Sequence, residues 1–123
     1  MSINTVVISG FLGTDPVRKV TTRGTPYCIL TVGVNEWTGP KSKIVHWIPV
    51  VCWQNLAENV VTNCAKGTHM TVMGSIETFT FGTGGDGPKA KMVRVKARRI
   101  EWHEPKEKKT RGTDEEDSGG EAD

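Results

Sequence analysis

Residues 44–81 read IVHWIPVVCWQNLAENVVTNCAKGTHMTVMGSIETFTF, and the hydrophobic period changes twice along them. Residues 44–53 are β-branched and alternate at a period of two, as a strand does. The pattern then becomes helical. Asn55 with Glu58 three residues on marks a helix start, Leu56, Val60, Val61 and Cys64 form an apolar stripe at helical spacing, and Lys66-Gly67 is a stop. Residues 69–81 return to alternation, so one short helix stands between two strands.

Working outward, residues 4–12 (NTVVISGFL) and 17–22 (VRKVTT) read as extended pieces on either side of the turn cluster Gly13-Thr14-Asp15-Pro16. Arg23-Gly24 is a second turn. From Pro26 to Trp37 the alternation resumes, with Cys28, Leu30, Val32 and Val34 on one face. Tyr27, Ile29, Thr31, Gly33, Asn35 and Trp37 occupy the other face, and a basic loop at residues 39–43 follows. Downstream, the Gly-rich segment 82–88 (GTGGDGP) connects to a last strand over residues 90–102. Three strands, a helix and two strands predict an all-β OB-fold, a five-stranded Greek-key barrel with its helix between the third and fourth strands. A β-sandwich would leave that helix unexplained.

The aromatic residues sharpen the reading. Trp37, Trp47, Trp53, Phe79 and Phe81 all fall in extended segments and none falls in the helix. Trp47 and Trp53 are an even number of residues apart, so both rings leave one face of their strand, while Ile48, Val50 and Cys52 line the other. A face of rings suits either an unpaired base or a protein interface. In the last strand Val93, Val95 and Ala97 alternate with Arg94, Lys96 and Arg98, which makes one face core and the other basic. Lys89 and Lys91 precede it, so cations and rings are expected to converge on the hairpin that carries Phe79 and Phe81. The basic face is either an ordinary solvated strand or a phosphate path.

Charge is distributed unevenly along the 123 residues. Residues 1–103 hold 12 Lys and Arg against 6 Asp and Glu, a net of +6, whereas residues 104–123 hold 4 against 8, a net of −4. The expected organisation is a basic domain over residues 1–103 and a disordered acidic tail over 104–123. Cys28, Cys52 and Cys64 have neither a C-x-x-C pair nor a His at ligand spacing, so buried thiols are expected and a disulfide or zinc site is not. The carboxylates of the domain are scattered over different elements, and His46, His69 and His103 lie in separate elements. No catalytic constellation, metal site or cofactor is expected, and the chain reads as a binder and not an enzyme. No apolar run approaches the length of a membrane span, which predicts a soluble, cytoplasmic protein.

Three stretches resemble the bacterial-type single-stranded DNA-binding protein family: VISGFLGTDP (7–16), GTPYCILTVGVNEW (24–37) and HWIPVVCWQNLAENVVTNCAKGTHMTVMGSIET (46–78). The resemblance covers residues 4–102 and includes G-x-L-G-x-D-P, the Trp before the basic loop, L-A-E with K-G through the helix, and G-x-I-x-T after it. It implies sequence-independent binding and protection of single-stranded DNA in replication, recombination or repair, with bases stacked at Trp37, Trp47, Trp53 and Phe81. Phe79 is a further candidate ring. The phosphate path implied or suggested by charge runs through Lys19, Arg23, Lys41, Lys43, Lys66, Lys89, Lys91, Arg94, Lys96 and Arg98. A homotetramer associated with the nucleoid is the corresponding expectation. Two departures stand out. Trp47-Ile48-Pro49 occupies the place of a common Trp-His-Arg, which removes an interface His and a charge beside the DNA, and Pro49 is expected where the strand ladder is already broken. The acidic tail ends Glu-Ala-Asp without the Pro-Phe tip by which the family docks repair and replication enzymes, so that docking mode is not expected.

Overall fold

The β-branched runs of the chain pair into one sheet that closes on itself. The computed structural model describes residues 1–81 and 90–103. Its elements are β1 (Val6–Leu12), β2 (Lys19–Val20), β3 (Pro26–Gly39), β4 (Ser42–Trp53), α1 (Gln54–Asn63), β5 (His69–Phe81) and β6 (Ala90–Trp102). The strand order is β1-β5-β6-β4-β3-β2, and an additional β1–β3 pairing closes the five long strands into a barrel with β2 as an appended edge. Every pairing is antiparallel except β4–β6, which is parallel and short, Val50 opposite Val95 and Val51 opposite Lys96. The OB-fold with one helix after its third long strand is therefore the observed architecture. Of the extended run 17–22, only Lys19 and Val20 pair, against Tyr27 and Pro26.

The inward face of each strand supplies the core. Leu12, Cys28, Leu30, Val32, Val50, Cys52, Met70, Val72 and Val95 form one cluster, joined by Ala57 and Val60 from α1. The three cysteines are buried as thiols, none of them in a disulfide. Cys28 lies directly opposite Cys52, and the hydrogen bond that the Cys52 thiol donates to Cys28, together with burial, holds the Cys52 thiol well above the ordinary range.

Several local expectations are corrected. The helix begins at Gln54 and not after an Asn55 cap, and no side chain caps it. The chain swings straight from Trp53 into the helix through Gln54, whose φ of 59° lies in the left-handed region. Glu58 reaches across to Arg18, whose Nε donates to both carboxylate oxygens at 2.9 and 3.0 Å. The helix stops at Asn63, earlier than Lys66-Gly67, with Cys64 already extended. Lys66-Gly67 instead docks the next turn, the Lys66 N–H donating to Asp15 Oδ1 at 2.7 Å and the Gly67 N–H to the Leu12 carbonyl at 2.8 Å. Val93 is 54% exposed and not core, because that part of the β5–β6 hairpin extends past the packed barrel. Beyond it, Met73 pairs Arg99 while Gly74 pairs Ala97, so Arg98 is the extra residue of a bulge and the inward phase passes from Ala97 to Ile100.

Pro49 fits the ladder for a specific reason. Thr31 is its partner on β3, and the Thr31 carbonyl accepts the Gly13 N–H at 2.8 Å, which turns it away from β4. Thr31–Pro49 is thus a non-hydrogen-bonded pair, and β3 asks for no N–H from residue 49. On the other side of β4, pairing with β6 begins only at Val50.

Candidate nucleic-acid interface

That same alternation sets the geometry of the aromatic face. All odd-numbered pairs between β3 and β4 are non-hydrogen-bonded pairs like Thr31–Pro49, in which Cα atoms approach to about 4.5 Å and side chains stand closest. Tyr27–Trp53, Ile29–Val51, Gly33–Trp47 and Trp37–Lys43 are such pairs, and they lie on the outside of the barrel.

Trp47 rests on glycine. A Cβ at Gly33 would lie 2.8 Å from Trp47 Cζ3, and one at Gly13 would lie 2.6 Å from the same atom, so only glycine leaves room for the ring there. Phe11 meets the indole edge-on, with centroids 5.4 Å apart and planes at 83°. Trp47 remains 50% exposed, and Trp37, farther along the hairpin, is 64% exposed. Trp53 is half-buried against Tyr27, centroids 5.2 Å apart at 33°. Between Trp47 and Trp53, Val51 is fully buried although it stands outside the core cluster.

Cations border these rings. Lys43 Nζ sits 5.7 Å from the Trp37 centroid, Lys19 lies opposite Tyr27, and Lys96 lies opposite Val51. Lys41 occupies the turn between β3 and β4, and Arg23 the turn after β2; both are exposed, as is Lys66 beyond α1. The β5–β6 hairpin is arranged differently from expectation. Glu77 pairs Arg94 on one face, whereas Lys91 pairs Thr80 on the other, so Lys91 does not join the Arg94–Lys96 row. Arg98 turns its Nη2 to the Gly74 carbonyl at 3.3 Å, as its place in the bulge dictates. Arg94 Cζ stands 4.5 Å from the Phe79 centroid. Phe81 closes β5 opposite Ala90, and Lys89 lies outside the described residues, as does the acidic tail over 104–123.

Phe11, Tyr27, Gly13, Gly33 and Glu77 belong to this surface and were not singled out by sequence. Parity put Tyr27 and Gly33 on the face of Trp37, but which residue of β4 each would meet depends on register. Among the described residues no group of three or more His, Cys, Asp or Glu could hold a metal ion. His69 and His103 approach one another, with ring centroids 5.7 Å apart, without a third ligand. No helix among them is long and apolar enough to cross a membrane.

The model of the Single-strand binding protein family matches residues 3–103. The chain belongs to this family. A relative from Chlorobaculum tepidum named single-stranded DNA-binding protein 2 is 32% identical over 124 residues, covering 94% of this chain and 79% of that protein. A single-stranded DNA-binding protein from Caldanaerobacter subterraneus subsp. tengcongensis is 33% identical over 106 residues, covering 85% of this chain and 70% of that one. In fold the chain is similar to the Plasmodium falciparum SSB solved in complex with ssDNA, with a TM-score of 0.73 at 18% identity, covering 85% of this chain and 97% of that structure. For this member of the single-strand binding family, the outer face of β3 and β4 is where rings and cations lie together.

Proposed function

We propose that this chain binds single-stranded DNA without sequence preference, protecting it in replication, recombination or repair. The observation that carries the reading is Trp47, seated on Gly33 and Gly13 with half its surface open and on the same outer face as Trp37 and Trp53. Every base has a π-face, so a ring platform accepts any sequence, at about 1–3 kcal/mol per stacked base. Duplex DNA hides those faces and is discriminated against. Lys19, Lys43 and Lys96 border the rings and meet the phosphates, with Arg23, Lys41 and Lys66 along the continuing path. Each neutralised phosphate adds about 0.7 to the salt slope of affinity.

Binding and not catalysis is the role, carried out by residues 1–103 in the DNA-associated part of the cytoplasm. Four copies assemble, as membership of the family suggests, and residues 104–123 compete with DNA for the basic face. The test is a titration with oligo-dT followed by Trp fluorescence. Strong quenching that weakens steeply with salt, and little quenching by duplex, is expected; absence of quenching by oligo-dT refutes the reading. Trp47→Ala should lose affinity with the oligomeric mass unchanged, whereas dissociation would mark the rings as a subunit interface.

A further inference from the structure

Glu77 is an acid placed among rings and cations. It faces Arg94 across the β5–β6 ladder, and Phe79, two residues on, shares its face. Arg94 Nε donates to Glu77 Oε2 at 2.6 Å while its Cζ stands 4.5 Å from the Phe79 centroid. Of the four ion pairs among the described residues this one is the most covered, its side chains 21% and 30% exposed, while every other partner exceeds 40%. Coverage matters because an exposed pair is held weakly, whereas parting a covered one strands a partly desolvated charge. The ring beneath adds a cation–π attraction to the same guanidinium.

We propose that Glu77 and Arg94 form a latch over Phe79. Glu77 cancels the charge of Arg94 and fixes the guanidinium on the ring, so that Arg94 offers a flat stacking surface backed by Phe79 and neutralises no phosphate. A guanidinium plane stacks on bases as an aromatic ring does. Arg94 is thereby separated from Lys96, its neighbour on the same face, which carries no ion pair among the described residues. Glu77 is a positioning residue that lowers the count of cations available to the strand. The role rests on the single-strand binding reading.

The experiment measures oligo-dT affinity against salt for Arg94→Met, Arg94→Lys, Glu77→Gln and the double variant Glu77→Gln/Arg94→Met, after thermal melting shows each folded. Arg94→Met should bind about 5- to 100-fold more weakly with the salt slope unchanged, as loss of one stacked base requires. Arg94→Lys should be no better, since an ammonium has no plane. Glu77→Gln frees the guanidinium from the ring and should show a gain of about 0.7 in the salt slope, the effect of one phosphate newly engaged. In the Arg94→Met background that gain should vanish. A slope lowered by about 0.7 in Arg94→Met, or a Glu77→Gln gain that persists without Arg94, overturns the latch while leaving the binding reading intact. Failure of the wild-type chain to bind oligo-dT overturns the reading and the latch together.

Discussion

Gly33→Ala places a methyl group beneath the central ring of the platform. Its Cβ would stand 2.8 Å from Trp47 Cζ3, 2.9 Å from Phe11 Cζ and 3.1 Å from Trp47 Cη2. Favourable carbon separations lie at about 3.5–4.0 Å, so both rings must withdraw by roughly 0.5–1 Å, and a gap of that size on their far sides forfeits about a quarter to a half of the dispersion attraction there. Trp47, half exposed, can lift into solvent, whereas Phe11 is only partly free to move. Overpacking of this kind costs about 1–3 kcal/mol, offset in part by the roughly 0.5–1 kcal/mol that alanine gains over glycine in a strand. A net destabilisation of about 1 kcal/mol is expected in urea denaturation. Binding should suffer more, because a lifted indole is displaced from its seat on Gly33 and Gly13; a weakening near one stacked base, about 1–3 kcal/mol, should appear in oligo-dT titration. Trp47→Ala removes the ring that meets the methyl group, so Gly33→Ala should cost no further affinity in that background. Full affinity in Gly33→Ala, or an equal weakening with and without Trp47, would refute the platform geometry.

Asp15→Ala removes the acceptor of the Lys66 N–H and should destabilise the chain by about 1–2 kcal/mol in denaturant without altering the salt slope of DNA binding. Glu58→Ala breaks the Arg18 pair, whose partners are 48% and 42% exposed, and should cost less than about 1 kcal/mol in the same measurement. The thiols of Cys28, Cys52 and Cys64, buried in the core, should react with an aromatic disulfide reagent only as the protein unfolds; rapid labelling of any thiol in the native state would contradict their placement.

How far the sequence reached varies with the kind of information each feature needed. The switch of period between residues 53 and 69 identified the helix, because burial of one face imposes the 3.6 and 2.0 repeats directly on the residue string. The end of that helix was misplaced by a few residues, since Lys66-Gly67 is fixed by hydrogen bonds to Asp15 and Leu12, distant in the chain. Parity placed Trp47 and Trp53 together and Arg94 with Lys96. It could not show that Arg94 faces Glu77, because that pairing follows from the register of β5 on β6. Lys91 precedes the Arg94–Lys96 row in the string, and its odd number places it on the opposite face, opposite Thr80, a distinction the alternation itself contains.

By itself, then, the sequence determined the element order, the inward stripes of β3 and β4, the shared face of Trp47 and Trp53 and the uneven charge of residues 1–103 and 104–123. These are local consequences of side-chain period and polarity. Tertiary structure decided which charges are free and which rings are open. Arg94 and Lys96 look alike in the string, but one is locked between Glu77 and Phe79 while the other lies beside Val51. Trp47 and Trp53 look alike too, but one lies over two glycines and the other leans on a tyrosine. The physical reason is that exposure and neutralisation depend on the neighbour across the ladder, and closing the barrel selects that neighbour through register.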